Sequence, residues 1–142
     1  MTQPAKGRSE KAVLFTGGFS SFSVNDISKA KQFYGDTLGL DVADEQEGAL
    51  RLENPSGGFL FLYPKEDHKP ATFTVFNLQV DDVSNAVDDL ANRGIQFLQY
   101  DDPIKTDEKG IFWGSKDGHS PNIAWFEDPA GNILSVIEDQ SG

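Results

Sequence analysis

Chemistry in this chain has to come from a short roster of side chains. There are two histidines, His68 and His119, and no cysteine, which removes disulfides, thiolate nucleophiles and Cys metal ligands. His68 lies in the charged run Lys65-Glu66-Asp67-His68-Lys69-Pro70, and His119 sits between Lys116-Asp117-Gly118 and Ser120-Pro121. Both contexts read as links or turns, so a solvated imidazole is the default for each, with a pocket-rim acid or base as the rival role of His68. A Ser-His-Asp triad can be assembled on paper, but no Gly-x-Ser-x-Gly nucleophile elbow supports it.

Charge narrows the partners. Twelve Lys and Arg against 23 Asp and Glu give a formal charge of −11, which repels phosphate backbones and anionic lipid. Nucleic acid and membrane are therefore not expected partners. The ordinary consequence is a solvated acidic surface; the sharper one is a field that draws a cationic small molecule toward an apolar cleft. No apolar run approaches the roughly 20 residues of a membrane span. Residues 1–11 have neither an apolar stretch nor a small-residue cleavage pattern, so they read as a mobile tail and not as a secretory signal. Together with the absence of Cys, this favours the cytoplasm as the expected location.

The elements that must position these groups follow from periodicity. With 142 residues, 37% of them hydrophobic, the chain can bury one ordinary core. Residues 12–24 read as a strand, and Asp26 as the N-cap of a helix carrying Ile27, Ala30, Phe33 or Tyr34, and Leu38, stopped by Gly39. Short strands are expected near residues 40–43, 49–53 and 59–63, broken by Glu47-Gly48 and Asn54-Pro55-Ser56-Gly57-Gly58. The pattern then starts again. Residues 72–80 form a strand, Asp82 caps a helix with Val83, Ala86, Val87 and Leu90 on one face, and Gly94 ends it. Strands are expected at 95–100, 111–113, 122–127 and 133–138, the last two joined by the turn Asp128-Pro129-Ala130-Gly131, with 101–110 a polar loop. Trp113 and Trp125 can each be core or pocket wall, since a one-residue slip in hairpin register swaps the face of Trp125.

Val24-Asn25-Asp26-Ile27-Ser28-Lys29-Ala30 aligns with Val80-Asp81-Asp82-Val83-Ser84-Asn85-Ala86 at a constant offset, so the two β-α-β-β-β units are repeats of one another. Each helix must pack on the more apolar side of the strand before it. That puts Phe22, Val24, Phe76, Leu78 and Val80 under the helices, and Phe19, Ser21, Ser23, Val75, Asn77 and Gln79 on the other side. A curved sheet enclosing a cavity of mixed polarity satisfies both sets.

The doubled unit, the Val-x-Asp helix start in both halves, Phe33-Tyr34 followed by Leu38-Gly39-Leu40, and the ending Ala124-Trp125-Phe126-Glu127-Asp128-Pro129-Ala130-Gly131-Asn132 together resemble the vicinal oxygen chelate superfamily. That superfamily includes glyoxalase I, the fosfomycin resistance proteins, extradiol dioxygenases, methylmalonyl-CoA epimerase and the bleomycin-binding proteins. The resemblance covers roughly residues 12–138. It implies an α+β fold of two tandem modules, residues 12–64 and 72–138, forming a curled mixed sheet around a U-shaped cavity in a single domain, commonly as a homodimer. Whether the modules pair within one chain or across a dimer is left open.

Members of that superfamily that do chemistry hold a divalent metal through His, Gln or Glu at equivalent places in both modules. The resemblance puts those places at Phe19, Phe61, Val75 and Ser135. Phenyl and isopropyl groups offer no lone pair and a neutral hydroxyl is a poor ligand, so no metal and no other cofactor is expected there. The first expectation is a protein that binds a small organic ligand between the aromatic walls Phe19, Phe61 and Tyr63, beside Val75, with polar points at Ser21, Asn77 and Ser135. The alternative is a metal-dependent lyase, isomerase or dioxygenase with a shifted site using His68, His119 and a carboxylate. A third reading has these residues fill the cavity as core, leaving a protein that acts through its dimer surface.

Overall fold

Asp26 and Asp82 start the two helices in the same way. Each has extended backbone, and its carboxylate accepts the amide N–H three residues on, Lys29 at 3.0 Å and Asn85 at 2.9 Å. This satisfies one of the donors that every helix start leaves free. The computed structural model describes residues 13–118 and 121–139; the tail expected at 1–11 and His119 lie outside the described residues.

Around these helices the chain builds two four-stranded sheets. The first holds β1 (Ser20–Val24), β2 (Val42–Asp44), β3 (Leu50–Glu53) and β4 (Phe59–Pro64) in the order β1-β4-β3-β2. The second holds β5 (Thr74–Val80), β6 (Ile111–Trp113), β7 (Asn122–Glu127) and β8 (Ile133–Glu138) in the order β5-β8-β7-β6. In each sheet the first and last strands are parallel and the other pairs antiparallel, so the repeat seen in sequence is a repeat of topology. The fold is α+β, and the sheets are curled without closing.

Between β1 and β2 runs α1 (Ile27–Lys31), which widens into a π-helical segment at Gln32–Thr37. The expected helix is present, but its second half is not α-helical. In the second module α2 (Val83–Asn92) is regular and ends before Gly94, which takes φ 96° as the C-terminal position requires.

Two expected strands are shorter or missing. The sequence predicts one strand over residues 12–24, yet β1 begins only at Ser20, opposite Leu60 of β4; the residues before Phe59 are folded into the Asn54 to Gly58 turn and offer residues 13–18 no strand to pair with. Residues 95–100 make a single bridge, Phe97 to Phe126, plus the Leu98 N–H bond to the Trp125 carbonyl at 2.9 Å. The free edge of β7 is shared: β6 takes Asn122 to Ala124, and Tyr100 is turned away by paired bonds to Thr106.

The side assignment holds where the ladders are regular. Val24, Leu50, Leu52, Leu60 and Leu62 from the first sheet join Phe76, Ala124, Phe126, Leu134 and Val136 from the second in one core, with Phe22, Leu78 and Val80 packed against it. Both modules of one chain therefore share a core. Ser21, Asn77 and Gln79 are exposed on the opposite sides. Val75 departs from the alternation, since Thr74 and Phe76 face consecutive residues of β8. It is the extra residue of a bulge and packs partly against the core.

The seam between modules is polar and buried. Tyr34 is fully buried and its hydroxyl donates to Asp128 Oδ2 at 2.6 Å. Asp128 also accepts the N–H groups of Ala130 and Asn132 and the Asn132 amide, which itself donates to the Ser23 carbonyl at 2.9 Å. The turn read from sequence thus closes as expected, with the Gly131 N–H on the Asp128 carbonyl and Gly131 at φ 85°.

Candidate functional site

The open side of the first sheet carries more aromatic surface than a solvated face needs. Phe19 is 61% exposed, stacks on Phe59 at 4.6 Å between ring centroids and meets Phe61 edge-on at 6.3 Å. The Arg51 guanidinium lies 3.9 Å from the centroid of Phe59, while its Nε pairs with Glu53 at 2.6 Å. Ser21 pairs with Phe61 across the ladder, which places both on this side.

Beside these rings is a cavity of about 460 Å³, lined by Phe61, Tyr63 and Pro64 from β4 and by Glu45, Gln46 and Glu47 from the turn after β2. Volumes from about 300 to 1,000 Å³ suit a small organic molecule. The turn is unusual in its backbone. Glu47 has φ 59°, the one positive-φ residue other than glycine among the described residues, a conformation that costs a non-glycine residue energy and clusters at functional sites. Two carboxylates at an aromatic cavity favour a cation, through charge and through the ring faces. Sequence reasoning missed Glu45, Gln46 and Glu47. The only signal was Glu47-Gly48, read as a break between strands.

In the second sheet Asn77 pairs with Ser135, and Ser135 with Trp125. All three share one side, which settles the face of Trp125. Ser135 is fully buried and donates its hydroxyl to Asn77 Oδ1. Trp125 Nε1 donates to Thr74 Oγ1 at 3.2 Å. Asn77 also borders a cavity of about 290 Å³ shared with Asn54, Pro55 and Ser56 of the first module. The predicted site residues therefore form two groups: Phe19, Ser21, Phe61 and Tyr63 on one sheet, Asn77 and Ser135 on the other, with Val75 in its bulge.

The two groups are related by the repeat. Ser21 faces Phe61 in the β1–β4 ladder and Asn77 faces Ser135 in the β5–β8 ladder, so the same two ladder positions recur in both modules. A model described as the Glyoxalase/Bleomycin resistance protein/Dioxygenase superfamily matches residues 18–136. The chain belongs to that superfamily. Its fold is shared by a superfamily member from Sphaerobacter thermophilus DSM 20745, with TM-score 0.63, 22% identity and coverage of 89% of this chain and 98% of that one. It is also similar to TnmS3, an antibiotic binding protein from Streptomyces sp. CB03234, with TM-score 0.63, 24% identity and coverage of 91% and 99%. A glyoxalase/dioxygenase from Nostoc punctiforme matches with TM-score 0.61, 19% identity and coverage of 94% and 100%. Comparison with curated protein sequences finds no match.

A metal in the superfamily's usual places would fall to Phe19, Phe61, Val75 and Ser135. Phe19, Phe61 and Val75 carry no donor atom, and the Ser135 hydroxyl is committed to Asn77. These four do not fit a divalent ion, which needs several good oxygen or nitrogen donors. Among the described residues no group of three or more His, Cys, Asp or Glu comes together that could hold one.

His68 is not the solvated imidazole expected. It is half-buried at the seam, with Nδ1 2.6 Å from Ser23 Oγ in the first module and Nε2 3.0 Å from the Ala130 carbonyl in the second. The charged link around it keeps Lys65 paired with Asp67 at the surface, but the imidazole itself reaches inward. Burial together with the adjacent Asp128 charge pushes the Tyr34 hydroxyl well above its ordinary pKa of 10.0, so Tyr34 remains a hydrogen-bond donor and not a base.

Proposed function

We propose that this superfamily member binds a small, positively charged aromatic molecule in the first-module cavity, without a metal in the superfamily's usual places. The observation that carries the reading is the juxtaposition of Phe61 and Tyr63 with Glu45 and Glu47 around one cavity of about 460 Å³. Aromatic faces and carboxylates recognise the same ligand feature, a charge carried on an apolar body. The formal charge of −11 adds a long-range field of the right sign. A protein of the same fold being an antibiotic binding protein supports the binding class.

The same reading carries a homodimer with no nucleic-acid or membrane partner. Val13, Leu14, Phe15 and Phe73 are each more than two-thirds exposed, apolar surface that a second copy would cover. Among the described residues no helix is long and apolar enough to cross a membrane. The proposed location is the cytoplasm, where a chain without Cys forgoes no disulfide.

Fluorescence titration with acridine orange, a cationic planar aromatic, against fluorescein as an anionic counterpart tests the reading. The titration is run once with chelator and once, without it, in the presence of added Mn²⁺, Ni²⁺ or Zn²⁺. Saturable binding of the cation alone, weakened by salt, is expected. Binding that requires added Mn²⁺, Ni²⁺ or Zn²⁺ would overturn it in favour of a metal-dependent lyase, isomerase or dioxygenase with a shifted site.

A further inference from the structure

The geometry points to Ser23 and His68 as a nucleophile and general base able to take an acyl group from a small activated ester, an activity separate from reversible binding in the cavity. Ser23 Oγ lies 2.6 Å from His68 Nδ1, although the two residues are 45 positions apart. The other ring nitrogen, Nε2, is 3.0 Å from the carbonyl oxygen of Ala130. A carbonyl only accepts, so Nε2 carries the ring proton, Nδ1 of the neutral ring is bare, and the Ser23 hydroxyl donates to it. A hydroxyl bonded to a base that is itself oriented by a third group is the arrangement that activates a serine.

The third group is firmly held. Ala130 sits in the turn whose Asp128 carboxylate accepts the Ala130 and Asn132 N–H groups, each at 2.9 Å, and the Tyr34 hydroxyl at 2.6 Å. The Ala130 carbonyl therefore fixes the imidazole without adding charge. Access is from the open side of the first sheet, since neither Ser23 nor His68 lines the neighbouring cavity. Ser23 faces Tyr63 across β1 and β4, so their side chains share a side, and Tyr63 lines the cavity of about 460 Å³. Ser23 itself is only half-buried.

In the step, Nδ1 takes the hydroxyl proton as Ser23 Oγ bonds to the ester carbonyl carbon. The bond from that carbon to the leaving oxygen breaks, and the imidazolium proton goes to the leaving group. Water then attacks the acyl-serine with His68 again as base, releasing the acid and restoring the hydroxyl. A neutral carbonyl stabilises the imidazolium less than a carboxylate would, so slow release and an initial burst are expected.

The test uses the full chain and para-nitrophenyl acetate, following nitrophenolate release and mapping acetyl groups by peptide mass spectrometry. One acetyl on Ser23 is expected, absent in Ser23→Ala. His68→Gln keeps an amide donor for the Ala130 carbonyl but lacks the ring base, and should slow Ser23 acetylation by on the order of 10²-fold. Acetyl groups on lysines alone, or Ser23 acetylation unchanged in a folded His68→Gln, would overturn the assignment. Mapping of the unaltered chain decides the matter even where a variant does not fold. Cation binding to the cavity is read separately, so failure here leaves the ligand reading standing.

Discussion

Tyr34 and Asp128, 94 positions apart in sequence, meet in a buried 2.6 Å hydrogen bond that joins the π-helical segment of the first module to the β7–β8 turn of the second. Tyr34 Oη is the donor. The carboxylate is otherwise satisfied by the Ala130 and Asn132 N–H groups and the Asn132 amide, so the tyrosine is the long-range member of its set.

Removing that hydroxyl should therefore loosen the seam. Tyr34→Phe is expected to lower unfolding stability by about 2 kcal/mol, the range for a hydrogen bond to a charged group, measured by urea denaturation at neutral pH. The pH dependence has a definite sign. The folded pKa of Tyr34 lies above its ordinary value of 10.0, so the contribution is complete below about pH 10 and is lost as pH rises further, because the unfolded tyrosine then releases its proton and the folded one does not. Tyr34→Phe should lack this alkaline loss, visible as a flatter stability profile above that pH.

Phe61 lines the cavity and touches Phe19 edge-on. Replacing it by Ala should weaken acridine orange binding by at least about tenfold, or roughly 1.4 kcal/mol. Phe19→Asp should abolish binding while thermal melting changes little, because Phe19 is mostly exposed. Unchanged affinity in Phe19→Asp would move the ligand to another surface.

Glu47 holds φ 59° at the cavity. Glu47→Gly should relieve the left-handed backbone and raise stability by about 1 kcal/mol, while weakening cation binding and reducing its salt dependence. A gain in stability with undiminished affinity would separate the strained turn from ligand recognition.

Gly110 has φ 92°, and a Cβ built on it would lie 2.8 Å from Phe97 Cβ and 3.1 Å from the Leu98 carbonyl oxygen. Neither neighbour is a flexible side-chain end. Gly110→Ala should cost about 2 to 3 kcal/mol from left-handed strain and overpacking together, read from the thermal midpoint.

Features that depend on neighbours along the chain are legible in the sequence. Asp26 and Asp82 cap helices because their own backbones bring the carboxylates to N–H groups three residues on. The Asp128 to Gly131 turn closes for the same local reason, and alternation put Val24, Phe76 and Leu78 on the core side. Repetition of these local signals is why the superfamily was legible. The remaining features depend on contacts between distant parts of the chain. Residues 95–100 have strand character but find only part of an edge to pair with, and Val75 left its expected side because β5 gains a residue against β8. Glu47 joins Phe61 at the cavity through the β2 to β3 turn, while His68 reaches Ser23 and Ala130 across 45 and 62 positions. The spacing of residues within a helix or strand is fixed by backbone geometry, whereas which distant side chains meet depends on how the sheets curl and pack.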